Sequence, residues 1–287
     1  MPFILFILLA ILLLCPEIAT EGSKNGLILW GTILVPSLLP FSVLTSLLRT
    51  RVQGTPYKYL LLLAGILSGY PIGAKISGEL YLDGSLSRRQ ATFFAGFTNN
   101  PSPMFILFFI ADNLLSLENE RYLFFFLVLL SSFLGSFLFV LCFLQKEKKK
   151  ASLPTHSMSI IQQKNLLQQM DIEITNSALL LLKIGGYIML FSIITALFQA
   201  IPHLPESLQL LFCSLLEITT GTTNLALYGF SETTKITLSL AATTFGGLSA
   251  AAQTNGVLQK TGLSILHYIA IKVLSSIFAL LLGVLFF

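Results

Sequence analysis

Ser68-Gly69-Tyr70-Pro71-Ile72-Gly73-Ala74-Lys75 stands in the middle of the apolar stretch 59–82, where a membrane-crossing helix would be smooth. A second apolar stretch, 207–230, is interrupted at its centre by Glu217-Ile218-Thr219-Thr220-Gly221-Thr222-Thr223-Asn224. Proline inside a helix removes a backbone donor and clashes with the preceding turn. Charged groups at mid-depth are costly. Such residues suit the tip of a re-entrant hairpin, where non-helical backbone is tolerated under a cover of protein or a watery cavity. The spacing therefore predicts that 59–82 and 207–230 each enter the membrane and turn back.

Charge supports this. If both segments are hairpins, the loops carrying Arg49, Arg51, Lys58, Arg88, Arg89, Lys146, Lys148, Lys149, Lys150 and Lys260 fall on one side. The other side keeps Lys24, Arg121 and Lys235. Full crossings would set Arg49, Arg51 and Lys58 against Arg88 and Arg89, which weakens the bias. The positive-inside rule then makes the basic side cytoplasmic, with the N-terminus cytoplasmic and the C-terminus external.

Outside the hairpins, segments long enough to cross, about 20 residues each, are 26–48, 90–111, 122–144, 177–201, 236–258 and 264–287. Phe41-Ser42-Val43-Leu44-Thr45-Ser46-Leu47-Leu48 reads against Phe191-Ser192-Ile193-Ile194-Thr195-Ala196-Leu197-Phe198, 150 residues later. Gly73 pairs with Gly221 and Phe97 with Phe245, 148 residues apart. An interruption follows each phenylalanine: Thr98-Asn99-Asn100-Pro101-Ser102-Pro103 in one half, Gly246-Gly247-Leu248-Ser249 in the other. Three crossings separate the matched segments, an odd number, so the repeat is inverted. Inverted halves with matching Gly/Pro breaks point to a transporter site near the midplane.

The expected fold is thus an all-α polytopic membrane protein, an inverted repeat with two re-entrant hairpins and two interrupted helices. An N-terminal transmembrane helix occupies 1–20, read as retained, since the segment lacks a basic flank and Leu12-Leu13-Leu14-Cys15 is a poor lipobox. The first repeat spans 26–145, with its hairpin at about 59–82 and broken helix at about 88–111. A cytoplasmic linker covers 146–175, with Ile160, Leu167, Met170 and Ile174 on one helical face, as an interfacial helix or a plain linker. The second repeat spans 176–287, with its hairpin at about 207–230 and broken helix at about 234–258.

Composition bounds the class. Mean hydropathy is +0.83, and charged residues make up 10% of the 287, against roughly 25% in soluble domains. That leaves no room for a sizeable soluble domain. The net charge of +4 lies mostly in short loops and reports topology rather than nucleic-acid binding. Three cysteines and three histidines are scattered without metal or disulfide spacing. No HExxH, P-loop or GxSxG occurs, so an enzyme is not expected.

Ser68 to Lys75, followed by Phe97-Thr98-Asn99-Asn100-Pro101-Ser102-Pro103, resembles the first half of the YlbJ-type sporulation integral membrane proteins, also called SpoVV. These sit within the nucleoside-recognition (Gate) domain group. Leu216-Glu217-Ile218-Thr219-Thr220-Gly221 and Phe245-Gly246-Gly247-Leu248-Ser249 are similar to its second half, and the resemblance runs over about 26–287. It departs at Thr98, where the family often has cysteine, and at Ala250-Ala251-Ala252, where a bulkier polar residue commonly follows. The resemblance implies a fold like the concentrative nucleoside transporters. It also implies a role in spore formers in moving dipicolinic acid toward the forespore, in whose membrane the protein would then sit.

Candidate substrate-binding residues follow from the tips and breaks. Glu217, in a segment otherwise uncharged from Ser207 to Ser231, would donate a hydrogen bond when neutral or, as a carboxylate, hold a coupling proton or Na+. Its bland alternative is a protonated group tied to nearby backbone. Lys75 is either a cationic partner for a carboxylate or half of a helix-face pair with Glu79. Ser68, Gly69, Thr98, Asn99, Asn100, Ser102, Thr219, Thr220, Gly221, Thr222, Gly246, Gly247 and Ser249 supply hydroxyls, amides and freed backbone groups. Helix N-termini at such breaks favour anions. Lys183 and Lys272 are read as snorkelling side chains, and Phe124-Phe125-Phe126 as lipid-facing.

The function expected is a bacterial cell-membrane carrier for a small polar, anionic metabolite, with the lipid bilayer and its solute as partners. A homo-oligomer is compatible with that reading, and no cofactor, metal or nucleic acid is expected. The rivals are a nucleoside or other neutral-solute carrier of the same fold, and a non-transporting assembly or regulatory protein.

Overall fold

The computed structural model describes residues 9–10, 12–51, 57–144 and 165–287. The basic run Lys146 to Lys150 and Ile160 of the expected linker lie outside the described residues, as does the start of the N-terminal segment. Among the described residues every regular element is helical. The elements are α1 (Pro16–Leu29), a π-helical turn (Trp30–Leu34), α2 (Val35–Arg51), α3 (Lys58–Ser68), α4 (Ile72–Leu82) and α5 (Arg88–Phe97). A wide π-helical segment (Phe105–Leu114) and α6 (Arg121–Phe143) complete the first half. The second half holds α7 (Leu166–Gln199), α8 (Glu206–Leu216), α9 (Ile218–Leu227), α10 (Glu232–Phe245), α11 (Gly247–Leu258) and α12 (Ile265–Phe286).

Three of these, α6, α7 and α12, are long and apolar enough to cross a membrane; α1 and α2, bent by 54° where they join, are long and apolar enough only when taken together. Large apolar side chains point outward from them, among them Leu141, Leu182 and Leu281, as a lipid-facing surface requires. The chain is a polytopic all-α membrane protein.

Two boundaries differ from those read in the sequence. Residues 20–26, which the sequence reading leaves between the N-terminal helix and the first repeat, are helix, because α1 runs through them and joins α2 by way of the π-helical turn. The end of the 146–175 segment, expected as an interfacial helix or a plain linker, is helical from Leu166 and continuous with the second repeat, so α7 reaches 34 residues, roughly 51 Å and well past a 30 Å hydrocarbon core. Phe124 is also misread as lipid-facing. It is fully buried in the core around Ile110, Val128 and Leu240, while Phe126 faces outward.

Matched helices of the two halves run antiparallel. A Cβ added to Gly22 would lie 2.9 Å from the Ile193 Cα, and one added to Gly26 would lie 2.9 Å from the Met189 Cα. Gly185 meets the Trp30 ring, whose Nε1 donates to the Leu181 carbonyl at 2.8 Å. Four residues forward on α1 is thus four residues back on α7. Likewise Gly135 of α6 packs on Ser275 of α12, while Phe139 stacks near His267 with ring centroids 5.4 Å apart. Small residues at these crossings let the backbones approach, as is usual inside membranes.

Candidate functional site

Each apolar stretch with a broken centre folds back on itself. Gly65 of α3 meets Gly73 of α4, and Gly221 of α9 meets Ser214 of α8. The residues in contact are about equally far from the turn, so both pairs are helical hairpins. The first turns at Gly69-Tyr70-Pro71, where Gly69 has φ +78°. The second turns at Glu217, the one extended residue between α8 and α9 (φ −145°, ψ 124°).

Each hairpin tip rests on the broken helix that follows it. In the first half, the Tyr70 amide donates to the Asn100 carbonyl at 2.8 Å and the Ala74 amide to Asn99 Oδ1 at 3.2 Å. Gly69 lies against Ser102 and Gly73 against the Thr98 carbonyl. A side chain at either position would push the tip away. In the second half, Gly246 and Gly247 take φ +82° and +83°, a left-handed backbone that glycine adopts without strain. A Cβ on Gly247 would lie 3.1 Å from the Leu216 carbonyl.

Glu217 is 2% exposed and caps α9, its Oε2 accepting from the Thr220 amide at 2.8 Å. The side chain is thus tied to nearby backbone, its carboxyl oxygen accepting at a helix N-terminus as a capping residue does. Thr219 is buried beside it, and Thr222 Oγ1 donates back to the Ile218 carbonyl at 2.7 Å. Ser68 Oγ donates to the Ala64 carbonyl and bonds Thr45 at 2.9 Å. Thr98 Oγ1 donates to the Phe94 carbonyl, and Ser102 Oγ accepts from the Phe105 amide. These hydroxyls are satisfied locally. Ser249, 3% exposed, touches Gln253.

The two halves meet at Asn99 and Asn100, both buried. Asn99 Nδ2 donates to Thr254 Oγ1 at 3.0 Å and to the Tyr268 hydroxyl at 2.9 Å. Asn100 Nδ2 donates to the Phe97 carbonyl, while its Oδ1 accepts from Ser132 Oγ and from Lys272 Nζ, each at 2.7 Å. Flipping the Asn100 amide would set its N–H groups against the ammonium, so the network fixes its orientation. Tyr70 extends the chain: its ring lies 3.7 Å from where a Cβ on Gly246 would be.

Lys272 overturns the snorkelling expectation. It is 2% exposed, in the first half of α12, with its ammonium on an amide instead of a carboxylate. Among the described residues no ion pair reaches it, and the Tyr268 ring, 5.8 Å away, is its other notable neighbour. A lysine inside a mostly apolar 22-residue helix was the sequence signal for it; Ser132, Thr254 and Tyr268 gave none beyond their place in apolar stretches. Lys75 stands outside this hub, on a cleft between α4, α7 and α11 that Glu79 also lines. A more apolar cavity of about 540 Å³ between α8, α10 and α12 is walled by residues such as Leu211 and Phe245 and suits acyl chains, not a polar solute.

No family model matches the chain, and no solved structure matches it. A similar curated protein is the sporulation integral membrane protein YlbJ of Bacillus subtilis (strain 168). It is 26% identical over an alignment of 317 positions, covering 92% of this chain and 76% of that protein.

Proposed function

We propose that this chain, which belongs with the YlbJ-type integral membrane proteins, is a carrier that moves a small polar anion across the membrane by alternating access. The observation that carries the reading is Lys272, a buried lysine whose Nζ meets an amide oxygen at the seam of the two halves, with no carboxylate against it among the described residues. Buried charges are ordinarily paired, and ionisable residues inside membrane-spanning helices are costly. An anionic solute would supply the missing partner. The two hairpins act as re-entrant elements, and the antiparallel halves supply the two related conformations that alternating access uses. The sporulation role in the relative's name makes dipicolinate (pyridine-2,6-dicarboxylate) the first solute to try.

The test is purified protein in liposomes loaded with dipicolinate. Exchange of labelled dipicolinate that competes with unlabelled dicarboxylates, and not with uridine, supports the reading. Competition by uridine alone would make it a neutral-solute carrier. Movement of nothing by an inserted, folded protein would sink the proposal and favour an assembly role.

Glu217→Gln keeps an acceptor for the Thr220 amide and removes the charge. Membrane abundance is expected to stay normal while uptake is lost, with a flattened response to external pH if Glu217 handles the coupling proton. Parental kinetics at every pH would leave Glu217 as a helix cap and nothing more.

Orientation follows from charge. Single cysteines at 83–89 and at 49–58, in a variant without Cys15, Cys142 and Cys213, are expected to resist an impermeant thiol reagent added to intact cells. Labelling at 83–89 with protection at 49–58 would mean that the first hairpin crosses the membrane.

A further inference from the structure

The cleft holding Lys75 has a volume of about 700 Å³, within the range of small-molecule sites. Its walls run from Pro71 to Leu82 on α4 and from Asn176 to Tyr187 on α7, roughly 16 Å of helix on each. It therefore extends from the first hairpin tip to the loop end of that hairpin.

Three ammonium groups from three separate elements line it: Lys75 on α4, Lys183 on α7 and Lys260 just past α11. Lys75 is half-buried; Lys183 and Lys260 are exposed. The one carboxylate in the lining, Glu79, has a bonding partner of its own. Among the described residues no ion pair neutralises any of the three lysines.

Gln253 points independently to a ligand. It lines the same cleft, is 5% exposed, and its Oε1 has no hydrogen-bond partner, while Nε2 makes a long 3.3 Å bond to Ser249 Oγ. Turning the amide over changes its shape little. The Ser249 hydroxyl would then donate to Oε1, and Nε2 would offer its N–H groups to the cleft. An orphaned acceptor would become a satisfied one, and the cleft would gain a neutral donor close to the Gly246-Gly247 break.

We infer that this cleft is a loading site for a small dianion, a dicarboxylate or a phosphate-bearing solute. Lys183 and Lys260 receive it, and Lys75 with Gln253 hold it beside the hairpin tip. Three lysines from three elements give the cleft a cationic excess that favours a multiply charged anion over a neutral solute. Lysine binds as a hydrated point charge, without the bidentate grip of arginine, which suits a site that must release what it captures. The inference rests on the carrier reading and gives it a path from one face to the buried hub.

The test places Lys183→Cys in a variant without the three native cysteines. Its reaction with an anionic sulfonate thiol reagent is compared with that of the trimethylammonium counterpart, each rate corrected for intrinsic reactivity. The anionic reagent is expected to react several-fold faster, with the preference lost on adding Lys75→Gln and Lys260→Gln and reduced by salt. Millimolar inorganic phosphate or pyridine-2,6-dicarboxylate should slow the labelling, and the more effective of the two names the solute's chemistry. Equal rates for the two reagents, or protection by uridine and by neither dianion, would overturn the loading site. Protection by a dianion in a protein that transports none would keep the site and remove the carrier reading. Dicarboxylate exchange that ignores these lysines would do the reverse.

Discussion

Lys272→Met is expected to abolish anion exchange while leaving the protein at least as stable as the parent. The ammonium is buried and hydrogen-bonded to one amide oxygen. Methionine fills much the same volume without a desolvated charge, and replacing buried ionic groups by apolar ones is often neutral or stabilising by about 1–4 kcal/mol. Asn100 keeps its bonds to Ser132 and the Phe97 carbonyl, so the seam retains its geometry. The solute, by contrast, loses its counter-charge. A hydrogen bond to a charged group contributes about 1.5–3 kcal/mol, which is roughly 10- to 150-fold in affinity, more if the anion must otherwise sit unpaired in the hub. Thermal unfolding in detergent and exchange in liposomes separate the two effects. A fall in stability that accounts for the lost exchange would make Lys272 a structural post and remove the main support for an anionic solute.

The sequence carried the architecture because that depends on where helices cannot continue. Pro71, Gly69 and Gly73 mark the first tip, Gly246 and Gly247 mark the second break, and each takes the backbone role its chemistry requires. Tip and break residues pack on each other, Tyr70 on Asn100 and Gly247 on Leu216. What stayed hidden was which polar groups would be consumed locally. Thr98, Thr222 and Ser68 look like ligands in a linear reading, but each returns its hydroxyl to the carbonyl four residues back. That bond is open to any helical serine or threonine. Lys272 was hidden for the opposite reason. Its distance from a helix end fits snorkelling, and only the packing of α6 and α12 around Asn100 shows that the ammonium turns inward. The cleft lysines come from positions 75, 183 and 260, too far apart in the chain for any spacing rule to join them.

Gly73→Ala should be strongly disruptive although it adds a single methyl group. The added Cβ would press on the Thr98 backbone carbonyl, carbon and oxygen both, and backbone cannot swing aside as the end of a flexible side chain can. Relief requires the hairpin to lift off the break, which stretches the bonds from the Tyr70 amide to Asn100 and from the Ala74 amide to Asn99. Two weakened hydrogen bonds at about 1 kcal/mol each, with overpacking of about 1–3 kcal/mol, outweigh the roughly 1 kcal/mol that alanine gains over glycine in helix propensity. A net loss of about 2–4 kcal/mol is expected, together with lost exchange, since Asn99 and Asn100 would move relative to Thr254, Tyr268 and Lys272. Gly186→Ala on α7 is the matched control. Nothing lies within 4 Å of its added Cβ, so the same chemical change should raise stability by up to about 1 kcal/mol and leave exchange alone. Equal unfolding temperatures for the two variants would mean that the tip does not bear on the break, and that the hairpin is free to move without disturbing Asn99 and Asn100.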